Sequence, residues 1–301
     1  MRITSLAVTV AAVPLLAALA PPAAAVSAGV PAGVPAGVVA GPPRVPAGTT
    51  AAWVVFDRQA GRFVAARNAH RKYRSASVVK ILIAIDYLER RKSVPEADAD
   101  LLKVMLRASD DDAASTLWDR GGKGQIIVRT ARRLGLADTT PPPASKPGFW
   151  GYTSLSAYDI VRTYRYLLDR ADARVRDTIL GHLRRAAPCG TDGFDQTFGI
   201  PDAVPRPYAV KQGWSGFGTT PPTRCRDARA VGAPVSWIAR RAAGSGVPDY
   251  GRPVLHTTGL VGPGERYVMA VLTAHPAGGT WSASVKRITD ITRGLYRDAT
   301  S

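Results

Sequence analysis

Ser77-Val78-Val79-Lys80-Ile81-Leu82-Ile83-Ala84-Ile85 is the stretch on which the reading of this chain turns. The run stays apolar through Tyr87-Leu88 on all sides of a helical projection, which predicts a helix buried all round rather than along one stripe. Ser77 and Lys80 are three residues apart and share a helix face, so the amine can reach the hydroxyl. At the first turn Ser77 lies among backbone N–H groups that have no intrahelical acceptor, and such donors suit an oxyanion. Burial disfavours the charged form of a lysine, and a neutral amine can take a proton from a serine. The pattern is that of a serine nucleophile with a lysine base. The plain alternative is a core helix in which Ser77 is a cap and Lys80 snorkels outward.

The flanking segments set the compartment. Met1-Arg2, a predominantly apolar run from Ile3 to Ala20 and Ala23-Ala24-Ala25 predict a cleaved secretory leader over residues 1–25. Pro14 and Pro21-Pro22 argue against a retained membrane span, and no cysteine stands near the cleavage site to carry a lipid. Residues 26–50 are almost entirely Ala, Gly, Val and Pro and read as a spacer with no core of its own. Residues 51–301 are long enough for one well-buried domain. The expected location is secreted, with the cell wall as the surface within reach. Of two cysteines, Cys189 and Cys225, export predicts a disulfide. The four histidines (His70, His182, His256, His275) are scattered without ligand spacing, so no metal site is expected.

A net charge of +17 points to an acidic partner. The excess is arginine spread along the chain, as at Arg90-Arg91, Arg132-Arg133, Arg184-Arg185 and Arg240-Arg241, without interleaved aromatic residues. That distribution argues against nucleic acid and leaves a weak attraction to an anionic cell-wall polymer.

Within 51–301, Ala52 to Asp57, a turn at Arg58-Gln59-Ala60-Gly61 and Arg62 to Ala66 predict a hairpin. Helices are expected around Leu101–Leu106, Ala113–Trp118, Gln125–Leu134 ending at Gly135, and after a capping box at Ser156 through Leu168. Tyr208–Lys211, Pro253–Thr257 and Tyr267–Thr273 read as strands, and Val285, Ile288, Ile291 and Leu295 stripe a last helix. Strands at both ends with helices between them predict an α+β fold: an antiparallel sheet built from the two termini, with a helical lobe inserted.

Two further segments can complete a site around Ser77. Ser109-Asp110-Asp111 lies between two expected helices, and Lys211-Gln212-Gly213 ends a strand, where glycine permits close backbone approach. Taken in order, Ser-x-x-Lys, Ser-Asp-x and Lys-x-Gly resemble the signature elements of the penicillin-recognising serine enzymes, above all the class A β-lactamases and D-alanyl-D-alanine peptidases. The resemblance spans residues 51–301. It implies a β-lactamase/transpeptidase-like fold, no cofactor, and a β-lactam or a peptidoglycan-derived peptide as substrate. By the same resemblance Ser77 is acylated, Lys80 accepts its proton and Ser109 relays a proton to the leaving nitrogen. Asp111, Lys211, Gln212, Gly213 and Trp214 bind substrate, Lys211 attracting its carboxylate. The N–H groups of Ser77 and Trp214 form the oxyanion hole.

Three departures qualify that expectation. Asp111 stands where the pattern has asparagine; an ionised aspartate only accepts hydrogen bonds, and close to Lys80 it would hold the ammonium. Gln212 replaces a hydroxyl residue. No glutamate occurs between Glu96 and Glu265, so the loop near Asp138-Thr139-Thr140-Pro141-Pro142-Pro143 lacks the base that class A enzymes use for deacylation. Asp138 reads as a turn residue. Slow turnover on Ser77 is expected, with a catalytically impaired, wall-binding pseudoenzyme as the alternative. A Ser/His/Asp esterase is weaker still, because Gly213-Trp214-Ser215-Gly216-Phe217 lacks the closing glycine of a nucleophile elbow.

Overall fold

In a computed structural model, which describes residues 43–225 and 251–301, the apolar alternation at the two ends of the domain becomes one sheet. Strands β1 (Thr50–Asp57), β2 (Arg62–Arg67), β5 (Ala209–Ser215), β6 (Val254–Val261) and β7 (Tyr267–Ala274) pair antiparallel in the order β2-β1-β7-β6-β5. The first strand therefore lies beside the last, with Val54 opposite Ala270, and β5 is an edge. Two short strands, β3 (Tyr73–Arg74) and β4 (Ser154–Leu155), form a separate ladder. The leader expected over residues 1–25 and the spacer as far as residue 42 lie outside the described residues. Ordered packing begins ahead of residue 51: Val45 rests on the core and Thr50 already belongs to β1.

Period-2 alternation divides the core into two layers. Ala52, Val54 and Phe56 of β1 face a layer shared with α1 (Lys80–Glu89), α2 (Glu96–Arg107), α3 (Asp111–Arg120), α4 (Gln125–Leu134), α5 (Ala157–Asp169) and α6 (Ala173–Leu183). Ala51, Trp53 and Val55 face the other, where Ile288, Ile291 and Leu295 of the last helix dock. That helix is α8 (Trp281–Thr300); a single turn, α7 (Ile200–Ala203), precedes β5.

The signals at helix ends act as their chemistry requires. Ser156 accepts from the Asp159 N–H at the start of α5, and Gly135 closes α4 at φ 69°, a left-handed conformation that glycine adopts without a Cβ penalty. α1 has all but its last residue buried, because it runs through the helical lobe with α2, α3, α4 and α6 packed around it.

One local expectation needs correction. Ser77 is not in the first turn of an α-helix; Ala76–Val79 form a 3-10 turn, and α1 begins at Lys80. In a 3-10 helix side chains at i and i+3 eclipse, so the tighter turn stacks Ser77 over Lys80 more directly than an α-helix would.

Candidate active site

The 3-10 turn is wedged between β5 and the loop before β4, and its entry is bent. Ala76 has φ 44°, and Gly213 passes so close that a Cβ placed on it would lie 3.1 Å from the Ser75 carbonyl oxygen and 3.2 Å from the Ser77 nitrogen. A side chain at 213 would crowd the serine turn by a few tenths of an ångström, and the glycine lets the edge strand pass against the backbone of Ser77. Ser77 is buried but lines a cleft of about 200 Å³.

Lys80, fully buried, donates all three ammonium protons: to Ser77 Oγ at 2.9 Å, to the Ser109 carbonyl at 2.5 Å and to Asp111 Oδ1 at 2.6 Å. Its Nζ also lies 4.6 Å from the centre of the Trp150 ring, within cation–π range. Ser109 reaches this position through a left-handed backbone, φ 58°, which turns its carbonyl to Lys80 and its hydroxyl to Lys211. A non-glycine residue held there stores strain of the kind found at functional sites. The cap of α3 is Asp110, whose carboxylate accepts from the Ala113 N–H at 2.7 Å, so Ser109 has no capping duty.

Lys211 closes the chain of contacts, donating to Ser109 Oγ at 2.7 Å and to the Gln212 carbonyl at 3.1 Å. Burial, and then the charge of Lys80, hold its amine well below the ordinary lysine value against the opposing pull of Asp111 and Asp192. Ser77, Lys80, Ser109, Asp111 and Lys211, brought from three separate segments, thus form one continuous network.

Two residues singled out in the sequence lie differently from expectation. Gln212, expected to offer a donor to a substrate carboxylate, directs its amide into the protein, onto the carbonyls of Gln196 at 3.2 Å and of Phe198. Its longer side chain carries the amide past the position a hydroxyl would hold. Lys211 is 1% exposed and points at Ser109, so it does not line the cleft with Ser77. Trp214 does line it, with its indole N–H on Asp192 Oδ2 at 2.9 Å. Asp138 stays outside, accepting from Ser156 Oγ and pairing with His70, each at 2.8 Å.

Sequence reasoning missed Asp192 and the aromatic wall. Asp192 lines the cleft, and burial pushes its carboxyl up while the Phe194 N–H and the Trp214 indole pull it down. Phe149, Trp150 and Tyr152, from the loop that lacks a glutamate, line the cleft as well. The only sequence signal was position: Gly190-Thr191-Asp192-Gly193 is a tight-turn composition beside Cys189. Cys189 and Cys225 are joined, as expected, with Cα atoms 5.6 Å apart, tying this turn to the segment after β5.

Sheet order, inserted helical lobe and this network of side chains define a β-lactamase/transpeptidase-like fold. Solved structures agree. A mutant of PBP-A in an acyl-enzyme complex with penicillin G superposes with a TM-score of 0.59 at 16% identity, covering 84% of this chain and 91% of that one. A class A β-lactamase from Mycobacterium abscessus gives 0.58 at 21% identity, covering 84% and 95%. Among curated proteins, "Putative lipoprotein LppW" of Mycobacterium tuberculosis and Mycobacterium bovis is 34% identical over 238 residues, 76% of this chain. The match spans 65% of that relative's length. No model of a protein family matches the chain.

Proposed function

We propose that the protein is an exported serine hydrolase that takes an activated amide, a β-lactam or a D-alanyl-peptide-like donor, onto Ser77 and releases it slowly. The observation that carries this reading is the 2.9 Å hydrogen bond from Lys80 Nζ to Ser77 Oγ at the wall of an open cleft. The geometric partners of nucleophilic catalysis are a nucleophile, a base within hydrogen-bond reach and a group that orients the base.

Lys80 must first yield one of its protons, and Asp111 Oδ1 at 2.6 Å is the acceptor in line. The neutral amine then takes the Ser77 proton as Oγ bonds to the acyl carbon. The resulting oxyanion is assigned to the N–H groups of Ser77 and Trp214; Gly213, next in the chain to Trp214, passes beside the Ser77 nitrogen. Collapse breaks the C–N bond, and the leaving nitrogen takes a proton from the Ser109 hydroxyl, which Lys211 replenishes. Hydrolysis of the ester needs a base for water, and Asp111 is already engaged with Lys80. This is the physical ground for slow release.

The relatives named as lipoproteins support a place outside the cytoplasm, as does the disulfide. Among the described residues no helix is long and apolar enough to cross a membrane.

A second reading, a cell-wall-binding pseudoenzyme, draws on one observation: the Lys80 amine is also engaged by Asp111 Oδ1 at 2.6 Å and by the Ser109 carbonyl at 2.5 Å, contacts that compete with its service to Ser77. Labelling with a fluorescent penicillin separates the two. The enzyme reading predicts covalent labelling of the protein and none of a folded Ser77→Ala variant. Absence of label on the unaltered protein together with tight binding of wall fragments selects the pseudoenzyme.

A further inference from the structure

Lys211, which does not line the cleft at Ser77, lines a second and larger cavity, of about 1000 Å³ against about 200 Å³. Among the described residues the two spaces share Asp110 and Thr191 alone. The larger one is bounded by the end of α2, the segment after α6, the segment before β5 and the chain at Cys225. Each of the four brings arginine: Arg107, then Arg184 and Arg185, then Arg206, then Arg224. Asp110 is the one carboxylate among its described lining residues, and its Oδ1 already accepts from the Ala113 N–H. Arg184 is paired with Glu265 at 2.6 and 2.8 Å, and the other four arginines make no ion pair among the described residues.

The way these cations are held is a second, independent feature. Arg107 is half-buried, and its side chain is oriented by a neutral acceptor: Nε donates to His182 Nδ1 at 3.1 Å. Burial, then the charges of Arg107, Arg185 and Lys103, lower the His182 imidazole to about 4, so the ring holds the guanidinium without offsetting its charge. Burial, and after it the charge of Arg185, pull Arg107 below the ordinary arginine value. The backbone there is fixed as well, the Arg107 carbonyl accepting from the Ala187 N–H at 2.9 Å and from the Gln196 amide at 2.8 Å. Arg206 lies over the Tyr208 ring at 4.6 Å, and Arg224 adjoins the Cys189–Cys225 disulfide. A guanidinium withdrawn from water, repelled by another and given no counter-charge is costly in the free protein and stabilised by a bound anion.

We infer that this cavity is a second ligand site, one that takes a phosphodiester chain. The guanidinium fork matches carboxylate and phosphate alike. Four forks without internal counter-charges, presented by four segments, call for more acceptor oxygens than one carboxylate supplies, and successive phosphates of a chain supply them. The site stands apart from the acyl-enzyme reading, since neither Ser77 nor Lys80 lines it. It also gives a place on the molecule to the anionic polymer that a net charge of +17 points to.

The test is calorimetry at physiological ionic strength with three probes: a methyl-capped glycerol-phosphate trimer, tricarballylate as a tricarboxylate of equal charge, and phosphatidylglycerol vesicles. The trimer should bind one to one and about tenfold more tightly than tricarballylate. Arg107→Gln and Arg185→Gln should each weaken it about tenfold, the loss expected for one charge-assisted contact. Arg132→Gln, an exposed change on α4 outside the cavity, should leave it unaltered. Equal binding of trimer and tricarballylate, or no binding of the trimer, overturns the inference. So does a loss with Arg132→Gln as large as with Arg107→Gln, or binding of the vesicles alone, either of which makes the attraction a property of net charge rather than of the cavity. The comparison of probes is read on the unaltered protein, so it decides the matter even if a variant does not fold. No acylation enters the readout, and the result therefore leaves the Ser77 reading to its own test.

Discussion

Lys80 Nζ and Asp111 Oδ1 are 2.6 Å apart, joining a fully buried ammonium to a carboxylate whose side chain is 38% exposed. The pair couples the serine turn to the start of α3, and it is the feature that most affects the chemistry open to Ser77. Asparagine at 111 would keep an acceptor for Lys80 but could not take up its proton.

Asp111→Asn is therefore expected to slow acylation of Ser77 at neutral pH by about tenfold, the factor that ~1.4 kcal/mol gives. Stopped-flow acylation with a chromogenic β-lactam measures it; an equally fast or faster variant would contradict Asp111 as the proton acceptor.

Lys211 titrates below an ordinary lysine because it is buried and faces Lys80. Leaving-group protonation through Ser109 should then show a pH limb well below 10.5. Lys211→Arg, which cannot deprotonate, should erase that limb, whereas a merely structural cation would leave it in place.

Gly213→Ala places a Cβ 3.1 Å from the Ser75 carbonyl oxygen and 3.2 Å from the Ser77 nitrogen. Both neighbours are backbone, so β5 must move away from the serine turn. A loss of about 1–3 kcal/mol in thermal or denaturant unfolding is expected, with slower acylation by a chromogenic β-lactam in the protein that stays folded.

The sheet and the helical lobe were legible in the sequence because alternation at Trp53–Phe56 and Tyr267–Thr273 and the all-apolar Ile81–Ile85 report burial directly. The site was legible where short-range spacing decides geometry, as with Ser77 and Lys80. It was less so where long side chains choose among partners: Lys211 was expected to face substrate and faces Ser109, and Gln212 turns to the Gln196 carbonyl. Asp192 and Phe149 reach the cleft only through tertiary folding of loops, which no periodicity encodes.

His275 is buried, and burial followed by the charges of Arg287, His256 and Arg252 lowers its imidazole to about 3. Its folded value lies below the unfolded value of about 6.5, so the unfolded chain binds the extra proton between these limits. Stability is full above pH 6.5 and falls with acid down to about pH 3, with a slope from this residue approaching ~1.4 kcal/mol per pH unit. Urea unfolding across that range should show this slope, and His275→Asn should flatten it.

The central claim is a covalent bond at Ser77. Intact-protein mass spectrometry after mixing with penicillin G, followed from seconds to hours, reads its formation and its loss together. The account predicts a single adduct with the mass of the whole drug, placed on Ser77 by peptide mapping, decaying over minutes to hours, and absent from Ser77→Ala. An unaltered mass at every time and concentration, or an adduct on another residue, would contradict it.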